Sequence, residues 1–69
     1  MERTPVASSS IASIGFDPTA DILEVEFKDG LIYQYFNVPS VMYEQLLIAP
    51  SIGVFFNANI RNAFACTRM

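Results

Sequence analysis

The chain has no histidine and no tryptophan. Without histidine it lacks the side chain that most often serves as general base or metal ligand near neutral pH. Its one cysteine, Cys66, excludes an internal disulfide. With no histidine to activate it, Cys66 is not a nucleophile–base pair and reads as an exposed tail thiol. A lone thiol fits a reducing compartment. No N-terminal apolar run resembles a signal peptide, and no stretch approaches the ~20 apolar residues of a membrane helix. The expectation is a soluble, cytoplasmic protein with no membrane association.

Positive charge is scarce. Arg3, Lys28, Arg61 and Arg68 face seven acids, for a net charge of −3. Nucleic-acid binders gain affinity by neutralising phosphates with Lys and Arg. Four scattered cations make a poor footprint for that purpose, although a local patch is not excluded by the total.

The 69 residues make one domain near the lower size limit for independent folding. Such a chain buries only about 60% of its unfolded surface, and its core rarely supplies more than roughly 3–5 kcal/mol. The 52% hydrophobic content and six phenylalanines are therefore needed by the core, with little left for a deep pocket.

Residues 1–9 are polar and without period, and read as a flexible leader. Residues 10–64 form the domain, and 65–69 form a tail without pattern. The run IASIGFD, from Ile11, reads as a strand with Ile14 and Phe16 on one face. Asp17 and Pro18 then open a turn. ILEVEFKDG is the clearest strand, with Leu23, Val25 and Phe27 alternating with Glu24, Glu26 and Lys28. Asp29-Gly30 is a hairpin signal, and LIYQYFNV returns.

The hairpin register decides which way Tyr33 and Tyr35 point. A two-residue turn pairs Phe27 with Ile32, buries Gln34 and leaves the tyrosines wet. A three-residue loop, Lys28-Asp29-Gly30 with Gly30 left-handed, pairs Phe27 with Leu31 and puts Tyr33 and Tyr35 on the core face. Burying an unpaired amide costs about 1–3 kcal/mol, and a one-residue slip swaps every side chain between faces. The three-residue loop is the expected one.

Pro39 or Ser40 opens a helix that Pro50 closes, with Met42, Tyr43, Leu46 and Leu47 as its stripe. Ser51 caps a second helix, expected to run on towards Phe64, with Ile52, Phe55, Phe56 and Ile60 apolar and Asn57 and Arg61 one turn apart. The expected architecture is α+β: a three-stranded antiparallel meander followed by two short helices packed on one face.

No residue set points to catalysis, a metal or a cofactor. Glu24 and Glu26 have a strand spacing of about 7 Å, but no cleft-forming sequence surrounds them, so they read as a solvated face. Asp17 and Asp21 match no calcium loop and read as a turn. Tyr33, Tyr35 and Phe36 are able to stack bases, but the register makes core packing the plainer reading. Asn57 and Arg61 form either a polar fork for phosphate or carboxylate, or an ordinary wet helix face.

The segments SSSIASIGFD, LEVEFKDG, YQYFNVP, YEQLL, APSIG and FFNANIR, in that order, resemble the KTSC domain, a family named after the C-terminus of some lysyl-tRNA synthetases and also found as short bacterial and phage proteins. The resemblance runs from Val6 to Phe64. The positions that carry over are Tyr33, Tyr35, Asn37, Pro39, Gly53, Phe56, Asn57, Ile60 and Arg61. It implies an RNA-binding role only through attachment to a tRNA-charging enzyme. Relatives often carry a basic, aromatic C-terminal segment and a cation near the position of Gln34. Here NAFACTRM keeps Phe64 and one cation, which weakens the case for RNA.

Two functions are weighed. The first is a non-enzymatic interaction module that regulates a larger protein, such as a nucleic-acid-handling enzyme. Its contacts would be Glu24, Glu26, Gln34, Asn57 and Arg61, with electrostatics speeding encounter. The alternative is an RNA-binding module using Tyr33, Tyr35 and Arg61.

Overall fold

In the computed structural model, which describes Met1–Met69, period-two runs become strands and the proline-bounded apolar runs become helices. The strands and helices in chain order are β1 (Thr4–Pro5), β2 (Ile11–Asp17), β3 (Ile22–Phe27), β4 (Ile32–Tyr35), α1 (Ser40–Ile48), α2 (Ile52–Asn59) and β5 (Cys66–Arg68). The sheet is antiparallel throughout, in the order β1-β2-β3-β4-β5.

The α+β class stands, but the expected three strands become five. The added strands come from the two segments that showed no period. Thr4 and Pro5 pair with Ile14 and Ser13 within the expected leader. Cys66, Thr67 and Arg68 pair with Tyr35, Gln34 and Tyr33 within the expected tail. Backbone bonds from Phe36 N to Ala65 O (2.9 Å) and from Met69 N to Ile32 O (2.8 Å) extend the second pairing at both ends. Two- and three-residue strands are too short to carry a readable alternation.

The three-residue loop is the one adopted. Phe27 N donates to Leu31 O and Gly30 N to Phe27 O, both at 2.9 Å. Gly30 has φ +93°, a conformation that costs little without a Cβ. Leu23 and Val25 consequently face Tyr35 and Tyr33, and Glu24 faces Gln34. The other register would have put Gln34 into the core.

A bulge between Ile11 and Ser13 sets a two-residue step against the single step from Phe27 to Glu26. Simple alternation would turn Ile11 away from the side of Ile14. The extra residue brings both inward, where neither has any exposed surface.

The helices cover one face of the sheet. Pro39 precedes α1 without a side-chain cap, whereas Ser51 Oγ accepts from Val54 N at the start of α2. Tyr43 of α1 stacks on Phe16 at 4.9 Å and 11°. Phe56 of α2 meets Phe27 and Tyr35 edge-on at 5.6 and 5.3 Å. Each such aromatic pair adds about 0.5–1.5 kcal/mol beyond its buried area. Leu46, Phe56 and Ile60 seal the layer against Ile14, Leu23 and Val25. α2 ends at Asn59, well before Phe64. Arg61 N and Ile60 N both reach Phe56 O, and Ala63 N bonds Ile60 O, so the chain turns away there. Three asparagines between 57 and 62 favour such local turns over helix continuation.

Candidate functional site

Where the hairpin loop, the end of α2 and β5 converge, a groove of about 580 Å³ opens. Phe27, Tyr33 and Tyr35 line its sheet side. Lys28 and Asp29 lie at the hairpin edge, Asn57, Arg61 and Asn62 at the helix edge, and Cys66 on β5.

The tyrosines differ despite their shared face. Tyr35 is 4% exposed and belongs to the core. Burial, with Cys66 alongside, pushes its phenol above the ordinary value. Tyr33 is half-buried. It has Phe27 perpendicular to it at 5.8 Å and Tyr35 at 6.4 Å with a tilt of 30°. Asn57 and Arg61 are exposed on successive turns, and Arg61 Nη1 donates to Asn57 Oδ1 at 3.4 Å. Arg61 therefore lies along the helix end.

Lys28 and Arg61 both line the groove, and Arg68 sits opposite Tyr33 in the β4–β5 register. Cross-strand partners project from the same face, so Arg68 emerges on the groove side. Two of the four cations thus line the groove, and a third lies on the same side of the sheet. The one acid in the lining is Asp29, whose Oδ1 already accepts from Leu31 N at 3.0 Å.

The opposite face of the sheet carries the remaining cation. Arg3 donates to Glu24 Oε2 and, through Nε, to Ser13 Oγ at 3.2 Å. Ser13 Oγ in turn donates to Glu26 Oε1 at 2.9 Å, and Gln34 Nε2 donates to Glu24 Oε1 at 3.0 Å. Glu24 is 4% exposed, which overturns the solvated-face reading. Burial alone would raise its pKa, but the hydrogen bonds from Gln34 and Arg3 and the Arg3 charge outweigh that and lower it. The N-terminal segment runs close over this face: a Cβ on Gly15 would stand 2.4 Å from Glu2 O.

The expected partner contacts therefore separate. Glu24 and Gln34 are engaged within the chain, Glu26 is bonded to Ser13, and all three lie on the face opposite Asn57 and Arg61. Tyr33, Tyr35, Asn57 and Arg61 come together in the groove. Sequence reasoning missed Lys28 and Arg68 as neighbours of these residues. The hairpin-tip position of Lys28 was a usable signal, but Arg68 had none, because β5 is set by pairing alone. Asp17 holds a turn, with Oδ1 accepting from Thr19 N and Ala20 N, and nowhere do three or more His, Cys, Asp or Glu side chains cluster. No helix is long and apolar enough to cross a membrane.

A five-stranded antiparallel sheet, backed on one face by two helices and bearing a cation-rimmed groove, defines a small α+β domain. The pattern of the KTSC domain matches residues 7–64, and the chain belongs to that family. It is similar over 99% of its length to the crystal structure of a KTSC domain protein from Yersinia pestis, with a TM-score of 0.94, 40% identity and 96% of that chain covered. An uncharacterised protein of Stutzerimonas stutzeri is 47% identical over 57 residues, 83% of this chain and 80% of its own. A lysine–tRNA ligase of Nostoc sp. is 41% identical over 56 residues, which are 81% of this chain but only 10% of the ligase.

Proposed function

We propose that the chain is a non-enzymatic RNA-binding module whose groove takes unpaired RNA. The observation that carries this reading is that Lys28 and Arg61 line the groove with half-buried Tyr33, and Arg68 lies opposite Tyr33 in the sheet, in a chain of net charge −3. Aromatic faces with flanking cations are the chemistry that holds single strands, and base–aromatic stacking is worth about 1–3 kcal/mol per base. The similarity to one-tenth of a lysine–tRNA ligase is consistent with such a role. The test is titration of the labelled chain with single-stranded RNA, followed by NMR. Tyr33 and Arg61 signals are expected to move, with affinity falling as salt rises. Movement elsewhere only, or affinity indifferent to salt, removes the groove reading.

A second reading, a regulatory module that docks on a protein, is favoured by the apolar surface of the helices. Ile48 is 82% exposed, Val54 68% and Val41 55%. Affinity capture with nuclease treatment separates the two. A partner retained after nuclease and lost with Ile48→Glu supports docking, whereas a profile that collapses with nuclease supports RNA.

A further inference from the structure

We infer that the groove holds one unpaired nucleotide at a time, its base against Tyr33 and its phosphate between Lys28 and Arg61; this rests on the RNA-binding reading above. Ring geometry limits the number of bases. A base sandwiched between two rings needs about 6.8 Å between parallel planes, twice the ~3.4 Å stacking rise. Tyr33 and Tyr35 are 6.4 Å apart and tilted by 30°, so no base enters between them. Tyr35 is itself 4% exposed and held edge-on by Phe56. Phe27 meets both Tyr33 and Phe56 edge-on and carries no polar tip to face the groove's wet side. Tyr33, half-buried in the same lining as Lys28 and Arg61, is the assigned stacking surface.

Volume and charge agree with that count. About 580 Å³ lies within the range of small-ligand pockets, roughly 300–1,000 Å³. Lys28 and Arg61 line the groove from the hairpin and from the end of α2. A phosphate drawn to both is a single anion neutralised from two sides. Lys28 and Arg61 are the only cations in the lining, and beyond it Arg68, opposite Tyr33 on β5, is the one other cation on this side of the sheet, so further phosphates along a strand meet no continuing basic track.

The experiment titrates the full chain with 5′-phosphorylated oligouridines of one, two, four and eight nucleotides, following Tyr33 and Arg61 by NMR. The expected dissociation constant, corrected for the number of equivalent sites, stays within about 3-fold from one nucleotide to eight. The expected slope of log affinity against log salt is about −0.7, the value for one phosphate of a single strand. Uridine and inorganic phosphate, titrated separately, are each expected to bind at least 10-fold more weakly than the mononucleotide. If either matches it, the two-part site is wrong. Affinity that climbs more than 10-fold with length, with a slope steepening by about 0.7 per phosphate, overturns the one-nucleotide site and leaves the RNA reading standing. If no oligonucleotide moves Tyr33 or Arg61, both fall. Arg61→Gln, on an exposed helix end, is expected to weaken every length by the same factor. A loss confined to the longer oligonucleotides contradicts the inference.

Discussion

Arg3 and Glu24, 21 positions apart, form an ion pair on the face of the sheet opposite the helices, with the Glu24 side chain only 5% exposed. The pair ties the first residues of the chain to the central strand. Glu24 is also bonded by Gln34, so its two oxygens are both occupied.

Removing Arg3 leaves a buried carboxylate with one donor fewer. Arg3→Ala is expected to cost about 1–3 kcal/mol, the range for leaving a buried polar group short of a partner. Chemical denaturation with an unchanged m-value measures it. A change below about 0.5 kcal/mol, the level of an ordinary surface substitution, would show that the Arg3–Glu24 pair contributes nothing to the fold.

The same pair gives stability a dependence on acid. Glu24 has a folded pKa below its ordinary 4.5: burial opposes the shift, and the Gln34 and Arg3 bonds prevail. A carboxylate lowered in this way contributes fully above its unfolded value, and the contribution is lost as pH falls through the folded one. The wild-type chain is therefore expected to lose stability below pH ~4.5, and Glu24→Gln to remove part of that slope. Parallel slopes for the two proteins in thermal melts from pH 3 to 7 would refute the linkage.

Gly15→Ala tests the same contact from the other side. Its Cβ would lie 2.4 Å from Glu2 O, closer than backbone atoms tolerate. The N-terminal segment is expected to lift, breaking the Arg3–Glu24 pair. Gly15→Ala and Arg3→Ala should therefore be non-additive, with the double variant little worse than the worse single one. Additive losses in a double-mutant cycle would mean that the two sites act separately.

Gly30→Ala isolates backbone strain. The residue has φ +93°, and nothing lies within 4 Å of where a Cβ would stand, so packing is not at issue. A cost of about 1–2 kcal/mol is expected, the penalty for an L-residue in left-handed conformation. Gly30→Asn should recover part of it, since asparagine tolerates that region better. Equal losses from both variants would point to a cause other than φ.

Tyr35→Ala and Tyr33→Ala are expected to differ in kind. Tyr35 is 4% exposed, and its truncation should cost about 3–5 kcal/mol, enough to threaten folding of so small a domain. Tyr33 is half-buried, so its truncation should leave a folded chain that has lost its groove ligand. Circular dichroism and binding measured together separate the outcomes. A folded Tyr33→Ala variant that binds RNA normally would remove Tyr33 from the site.

The hairpin and its core face were legible because both rest on local rules. Leu23, Val25 and Phe27 alternate, Gly30 supplies a positive φ, and burying Gln34 would have been costly. Two departures have non-local causes. Glu24 alternates outward and so reads as wet, yet Arg3 and the segment over Gly15 close above it. The apolar spacing carries α2 past Asn59 because Ile60 continues it, although Ile60 is buried from a turn. The candidate site was half visible: Tyr33, Tyr35, Asn57 and Arg61 stood out by type, and Lys28 had its hairpin-tip position as a signal, but nothing placed Arg68 on their side of the sheet.

By itself the sequence determined the α+β class, the central hairpin with its register, the Ser51 cap of α2 and the absence of any histidine-based chemistry. These follow from backbone sterics and from solvation of neighbouring side chains, which act over a few residues. Tertiary structure alone decided that the two ends of the chain become edge strands, that an acidic side chain is buried under Arg3, and that Lys28 and Arg61 line one groove with Arg68 on the same side of the sheet. Those outcomes depend on which distant segments close against one another, and a two- or three-residue strand acquires its pairing only from the sheet already formed beside it.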